Sequence, residues 1–348
     1  MNEYASRLEK IEAILRRALP LRTPSEESLL SFGTVPDAVR SAHLVPLVAP
    51  CRELVERGGK RWRPLLMVLC AEAATEDADM FERVYRLTPL VELAHTASLI
   101  HDDIEDASAS RRGAPCAYLT WGTDTAINAA SWLYFQAAAC IQDARLPAET
   151  QNRLYRLAAE ELRRLHLGQA MDITWHKDSA AYPAISEYTA MTRLKTGTLA
   201  SLAAKASLTA VGADSAVVSR AGSLAADAGV AFQIFDDVRN LTTGNPGKKR
   251  GDDLAEGKKS YPILLHLTEH PDDFPFVSRC FEQARREGAD SPATERCADV
   301  LEKSGTLSKA TGKAQKMIRE SADKFRMLFP ALPENAARIA DLFKMLLQ

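Results

Sequence analysis

Residues 95–115 read HTASLIHDDIEDASASRRGAP, and the reading of this stretch decides the reading of the rest. Asp102, Asp103 and Asp106 stand at i, i+1 and i+4, followed by the basic pair Arg111 and Arg112. On a helix, Asp102 and Asp106 fall one turn apart on one face. Carboxylates so placed repel one another unless a cation sits between them. Hard oxygen ligands at that spacing suit Mg²⁺, which takes one or two carboxylates and completes its shell with water and phosphate oxygens. Residues 94–104 are otherwise largely apolar, so the charges close a buried helix. A solvated acidic helix end explains a lone DDxxD equally well, so its company elsewhere must decide.

Working outward, a second apolar stretch ends the same way. In residues 219–241, SRAGSLAADAGVAFQIFDDVRNL, the positions Ala221, Leu224, Ala225, Ala228, Ala231, Phe232, Phe235 and Val238 keep a 3.6-residue period. Asp236 and Asp237 close it, and the fifth position of the motif is Asn240. The following loop, 244–262, is dense in glycine and lysine. Upstream, residues 58–64 read GGKRWRP: paired glycines allow a sharp turn, and Lys60, Arg61 and Arg63 offer a fork and a point charge to a phosphate. Polar residues Glu92, His95, Thr96 and Ser98 interrupt an otherwise apolar run and are candidates for a cavity wall. Gln169 and Asp172 share a helix face at i, i+3, and Lys195-Thr196-Gly197 sits in a small-residue helix packed closely against a neighbour.

Helical spacing recurs over 4–19, 26–36, 44–57, 65–74, 81–100, 124–143, 154–172, 186–210 and 219–241, with a loop after residue 115. Residues 266–348 read as amphipathic helices without a catalytic constellation. No stretch alternates as a strand, so the fold class is all-α, a bundle of roughly a dozen helices around a central cavity. The chain is expected to form one domain, 1–348, with an N-terminal helical extension (1–43), a motif-bearing core (44–262) and C-terminal helices (263–348). Two acidic helix ends in one bundle would put carboxylates on both walls of the cavity, suiting a diphosphate with an apolar tail.

Bulk properties narrow the field. The 348 residues are 46% hydrophobic and 26% charged, a globular composition. A net charge of −2 gives no case for nucleic acid or an anionic membrane surface. Six scattered cysteines without a CxxC pair speak against a zinc site or disulfide framework and for a reducing cytoplasm. Residues 1–19 are charged throughout, unlike a signal peptide, and no run approaches the ~18 apolar residues of a membrane span.

GGKRWRP, HTASLIHDDIED, SRRGAP, GQAMD, KTG, FQIFDDVRN and GKKRGDDLAEGKKSYP occur in that order over residues 44–262, and with them the chain resembles the trans-isoprenyl diphosphate synthases, the polyprenyl synthetase family. The resemblance implies a trans-prenyltransferase that condenses isopentenyl diphosphate with an allylic diphosphate (dimethylallyl, geranyl or farnesyl). Ionisation, condensation and elimination would follow one another. Asp102 and Asp106 would bind two Mg²⁺ ions and Asp236 a third, with Asp103 among the catalytic carboxylates. Arg111, Lys195 and Lys258 would grip the allylic diphosphate. Lys60, Arg63, His95 and Arg112 would hold that of isopentenyl diphosphate. Thr196 and Gln233 would line the reacting centre, Gln169 would contact substrate, and Lys248 would lie on a loop closing over the site. A homodimer is likewise implied.

Asn240 stands where the family usually has aspartate, which implies weaker binding of the third Mg²⁺. On that reading Asn240→Asp lowers the Mg²⁺ requirement. Cys116, where threonine or serine is common, is a milder departure. Ala97 and Ser98, just before Asp102, are small where family members stopping at fifteen carbons place an aromatic, so a product of twenty carbons or more is expected. Trp132, Tyr134 or Phe135 could supply the next floor, and Ala97→Phe is expected to shorten the product. Three rivals carry less. A terpene cyclase needs no second diphosphate site. A non-catalytic subunit of a heteromeric synthase loses its aspartate motifs. An HD-type phosphohydrolase needs more histidines in its metal shell than seven in the chain readily supply.

Overall fold

A computed structural model describes residues 4–178, 182–244 and 250–347. The described elements are α1 (Ala5–Arg17), α2 (Glu26–Phe32), α3 (Ser41–Glu56), α4 (Trp62–Ala74), α5 (Ala78–Leu87), α6 (Pro89–Glu105), β1 (Ser110–Arg111), β2 (Ala114–Pro115), α7 (Ala117–Trp121), α8 (Thr123–Asp143), α9 (Ala148–Lys177), α10 (Ile185–Thr192), a π-helical turn (Arg193–Gly197), α11 (Thr198–Ala210), α12 (Ser215–Leu241), α13 (Asp252–Glu256), α14 (Tyr261–Glu269), a 3₁₀ turn (Pro271–Asp273), α15 (Phe274–Glu287), α16 (Pro292–Lys303), α17 (Thr306–Leu328) and α18 (Pro333–Met345). The all-α expectation holds, and the described residues contain more helices than periodicity predicts. The run 81–100 is two helices because Pro89, at the first position of α6, has no N–H to continue α5. The loop after residue 115 holds α7, and the loop 244–262 holds α13.

The chain forms two compact units, each with its own core. The first comprises residues 4–162, 199–223 and 325–342. Its α4 is buried from Trp62 to Ala71, which its near-continuous apolar sequence dictates. Ser207 of α11 donates to the Met67 carbonyl at 2.6 Å, and Lys205 pairs with buried Glu161 at 2.6 Å. Helix α6 packs along α8, and its Val91, Leu93, Ala94, Ala97 and Ile100 are buried.

β1 and β2 form one antiparallel ribbon, Ser110 opposite Pro115 and Arg111 opposite Ala114. The two residues between them, Arg112 and Gly113, have φ of 53° and 77°. Positive φ at both central positions matches a type I′ hairpin, whose twist suits the strands it joins.

The second unit comprises 163–198, 224–324 and 343–347. Close backbone approach defines it. A Cβ on Gly168 of α9 would come within 2.5 Å of the Lys195 nitrogen; one on Gly197 would meet the Ala226 carbonyl at 2.9 Å; one on Gly229 would meet the Gly197 Cα at 2.9 Å. The small-residue helix around KTG is thus pressed against α12, as its composition predicts. Leu241, Leu254, Ile263, Val277, Phe281 and Leu301 anchor the apolar core further along.

Candidate functional site

In the first unit the functional side chains fall on one stripe of α6. His95, Ser98, Leu99, Asp102 and Asp106 are partly exposed, while Ala97, Ile100 and Asp103 are buried, as a 3.6-residue period requires. Asp103 is only 2% exposed. Arg111 Nε donates to its Oδ1 at 2.8 Å and Arg111 Nη2 lies 3.6 Å from Asp102 Oδ2. Burial lifts the Asp103 pKa despite that guanidinium. Asp103, expected among the catalytic carboxylates, is the one of the three that is buried against Arg111. Its side chain braces Arg111, while Asp102 and Asp106 keep the open stripe.

The basic stretch before α4 divides in the same way. Arg61, in the left-handed region at φ 49°, bonds Glu12 at 2.7 Å and Glu92 at 2.6 Å and is buried. It holds α1 to α6 and is not available to a ligand. Lys60 is exposed, and Arg63 lies with its guanidinium carbon 4.6 Å from the Trp62 ring centroid. Arg112, aimed by its hairpin turn, donates to the Leu54 carbonyl at 3.1 Å. Its Nη2 lies 2.9 Å from the point a Cβ on Gly59 would occupy, so Gly59 (φ 153°) makes room for this cation. Burial, and then Arg63, Arg112, Arg111 and Arg61, hold His95 well below the usual histidine pKa. Of these, Arg61 is held by Glu12 and Glu92, whereas Arg63 and Arg112 lie beside His95, an arrangement suited to a polyanion.

Of the three aromatic candidates for a floor, Trp132 stacks on Phe32 at 5.6 Å and Phe135 is 79% exposed. Tyr134 meets α6, stacking on His101 at 5.9 Å. Ala97 is fully buried on the α8 side of α6, whereas Ser98 shares the stripe of Asp102 one turn away.

In the second unit, Lys195 and Thr196 lie in the π-helical turn, a distortion that often marks functional sites. Lys195 Nζ lies 2.6 Å from Asp172 Oδ2, and His176 Nε2 lies 2.8 Å from Asp172 Oδ1. Burial opposes ionisation of Asp172, but Lys195, His176 and Lys258 together hold its pKa well below the carboxylate range. Lys258 itself pairs with Glu256 at 2.7 Å. Thr196 Oγ1 donates to Gln233 Oε1 at 3.1 Å, and Gln233 Nε2 donates to Asp237 Oδ1 at 3.0 Å. Asp237 also accepts from the Tyr188 hydroxyl at 2.6 Å and the Tyr261 N–H at 2.8 Å. Burial and Asp253 raise its pKa to about 7. Asp236 is left partly exposed, as is Gln169. Lys248 lies outside the described residues.

Asn240 is fully buried. Its carbonyl accepts from the Gly251 N–H at 2.9 Å and its Oδ1 from the Asp253 N–H at 3.4 Å, so it fastens the chain before α13 to the end of α12. That is an anchor, and the expectation that an aspartate here would help hold Mg²⁺ does not fit its burial.

In the sequence Asp172 stands out only as a helix-face partner of Gln169, and His176 belongs to no motif. The signal was present in GQAMD and the histidine four residues on, both on one face of α9. The donor set fits a hard divalent cation. Among the described residues no three His, Cys, Asp or Glu side chains converge on one point. Asp102 and Asp106 on α6, and Asp236 on α12, are instead one or two carboxylates per helix end, leaving positions for water and phosphate oxygens.

A sequence model of the polyprenyl synthetases matches residues 45–296. A geranylgeranyl pyrophosphate synthase of Macrophomina phaseolina is 35% identical over 76% of this chain and 76% of its own length. A geranylfarnesyl diphosphate synthase of Aeropyrum pernix is 36% identical over 61% of this chain and 67% of its own. Among solved structures, geranylgeranyl pyrophosphate synthetase from Pyrococcus horikoshii superposes with a TM-score of 0.81 and 26% identity, over 99% of this chain and 96% of that one. The polyprenyl synthase of Caulobacter crescentus, complexed with calcium and isoprenyl diphosphate, gives 0.79 and 25%, over 99% and 95%. The chain belongs to the polyprenyl synthetase family, and with it to the prenyltransferases, enzymes dependent on a divalent metal. No helix among the described residues is long and apolar enough to cross a membrane.

Proposed function

We propose that this enzyme condenses isopentenyl diphosphate with an allylic diphosphate, with Mg²⁺ as its metal, to give an all-trans prenyl diphosphate of twenty carbons or more. One observation carries the reading. A single helix, α6, presents Asp102 and Asp106 on the same stripe as His95, which has Arg63 and Arg112 as neighbouring cations. Metal-type carboxylates and a separate polyanion basket are what two diphosphate substrates need; a cyclase needs only the first. The relatives named for geranylgeranyl and geranylfarnesyl diphosphate support the product class.

The residues divide the work by their chemistry. Lys60, Arg63 and Arg112, with neutral His95 as a hydrogen-bond donor, suit the diphosphate of isopentenyl diphosphate. Arg111, with Asp103 behind it, suits the allylic diphosphate, as do Lys195 and Lys258 with Asp172 behind them. Asp102 and Asp106 would hold two Mg²⁺ ions and Asp236 a third. Bound divalent cations supply the charge neutralisation that makes diphosphate a competent leaving group. Thr196 and Gln233 present oxygens that suit a developing allylic cation. Holding both substrates on fixed cations converts their encounter into an intramolecular one, and excluding water protects the cation from quenching. Gln169, a turn before Asp172, and Lys248, on the glycine-lysine loop, complete the set.

Leu119, Ile127 and Phe135 are exposed on α7 and α8, and this apolar face supports a homodimer. Six free, buried cysteines support a cytoplasmic location. The test is incubation with Mg²⁺, isopentenyl diphosphate and, in turn, dimethylallyl, geranyl or farnesyl diphosphate, with products read by mass. Elongation to C20 or beyond is expected. Hydrocarbon released without isopentenyl diphosphate would favour a cyclase, and no turnover with any starter a non-catalytic subunit.

A further inference from the structure

Helix α15 belongs to the part of the sequence without a catalytic constellation, yet two of its side chains meet the turn that carries Lys258. Arg285 Nη2 donates to the carbonyl of His176 at 2.9 Å, at the end of α9. The same guanidinium nitrogen lies 2.4 Å from where a Cβ on Gly257 would stand, and Gly257 has φ of 87°. On the other side of that residue, Lys259 Nζ donates to the Gly257 carbonyl at 3.3 Å. The Lys259 ammonium is buried and lies 4.3 Å from the Phe281 ring centroid and 4.7 Å from that of Tyr182. Burying an ammonium is unfavourable, and two aromatic faces offset only part of the cost. A cation maintained there is consistent with a task beyond packing.

The consequence is geometric. Arg285 fills the space where a Gly257 side chain would stand, Lys259 donates to the Gly257 carbonyl, and Lys258 follows with its own N–H fixed on the Asp253 carbonyl at 2.8 Å. His176, whose backbone Arg285 holds, presents its ring to Asp172, and Asp172 holds Lys195. One guanidinium therefore touches both the turn bearing Lys258 and the helix end bearing the support of Lys195.

We propose that Arg285, backed by Phe281 and Lys259, is a positioning residue that sets the spacing of the two lysines and thereby the affinity for the allylic diphosphate. The proposal rests on the reading of Lys195 and Lys258 as ligands of that diphosphate. Partners that orient metal ligands commonly change affinity or activity by 10- to 100-fold, and a partner that orients the cations of an anion site is expected to act on a similar scale.

The test is steady-state kinetics of the full-length enzyme with farnesyl diphosphate and isopentenyl diphosphate varied separately. Arg285→Met should raise the KM for farnesyl diphosphate on the order of tenfold, with a much smaller change in kcat and in the KM for isopentenyl diphosphate. Arg285→Lys should recover part of the loss, and Gly257→Ala, which displaces the guanidinium from the other side, should reproduce it. An effect through stability alone would lower kcat with the folded fraction and leave both KM values in place; that result, or an unchanged farnesyl diphosphate KM in Arg285→Met, overturns the proposal. Lys258→Met separates the two levels. If it raises the farnesyl diphosphate KM while Arg285→Met does not, positioning fails and the reading of the lysines stands. If Lys258→Met leaves that KM unchanged, the reading of the lysines fails.

Discussion

The ends of α6 and α12 carry nearly the same letters, DDIED and DDVRN, and use them differently. In both, the second aspartate is internal. Asp103 holds Arg111, and Asp237 gathers Gln233, Tyr188 and the Tyr261 N–H. In both, the first aspartate is left partly exposed. The fifth position separates them: Asp106 lies on the open stripe of α6, while Asn240 is sealed inside and ties down the chain before α13. Each end is also served by adjacent cations in a following turn. Arg111 ends a strand and Arg112 sits in the hairpin bend that follows, whereas in the pair after α12 Lys258 is partly exposed and Lys259 is buried. The same motif is thus two carboxylates and a brace in one place, and one carboxylate and two braces in the other.

The largest effect should come from separating ligand from brace within α6. Asp102→Ala should cost several kcal/mol of transition-state stabilisation, on the order of a thousandfold or more in kcat/KM. Asp103→Asn should weaken Arg111, raising the allylic diphosphate KM by about tenfold and leaving measurable kcat. Equal losses in the two variants, measured at saturating Mg²⁺ with folding confirmed by circular dichroism, would erase the distinction.

Next is Asn240→Asp, which tests whether the fifth position of α12 is an anchor. A new carboxylate there would be buried near Asp237 and Asp253. The expected outcome is a loss of about 2–4 kcal/mol in denaturant stability, with no fall in the Mg²⁺ concentration for half-maximal activity. An unchanged unfolding midpoint together with a lower Mg²⁺ requirement would restore the position as a vacant ligand site.

This contrast also marks how far the sequence could be read. Helical periodicity and the aspartate motifs were enough to give an all-α fold and the open carboxylates, because a 3.6-residue repeat fixes which residues share a face. The break at Thr88-Pro89 was legible in principle, since proline at a first helical turn is a start signal. What periodicity does not contain is which of several neighbouring charges is already paired. Arg61 looks as available as Arg63 until Glu12 and Glu92 are placed around it, and they lie 49 and 31 residues away. Arg285 is invisible for the same reason, because its partners are a backbone carbonyl and the empty side of a glycine.

Lys259 sharpens the comparison of the two cation pairs. Burial, and then Arg285, lower its pKa from 10.5 to about 8. Between those values the unfolded chain holds a proton that the folded chain has released, so this side chain makes stability rise with pH across that window and contributes a penalty below it. The slope approaches about 1.4 kcal/mol per pH unit at most. Lys259→Met should remove this component, which urea melts at pH 7, 8, 9 and 10 would show as a gap between variant and parent that narrows as pH rises. A gap constant with pH would mean that the ammonium is not desolvated as described.

The smallest effect concerns the stripe of α6 itself. Ser98 lies one turn before Asp102 on the partly exposed side, and Ala97 is fully buried towards α8. An aromatic at Ser98 would stand along the path an elongating chain takes away from the carboxylates, so Ser98→Phe should shorten the longest product by one or more isoprene units while leaving the melting temperature close to that of the parent. Ala97→Phe, expected from sequence to act as the stop, should instead overfill the contact with α8 and cost about 1–3 kcal/mol of stability. Mass analysis of the products beside a thermal melt decides between them. A shorter product from Ala97→Phe at unchanged stability would place the path on the α8 side of the helix, next to Tyr134, and would make that ring the floor.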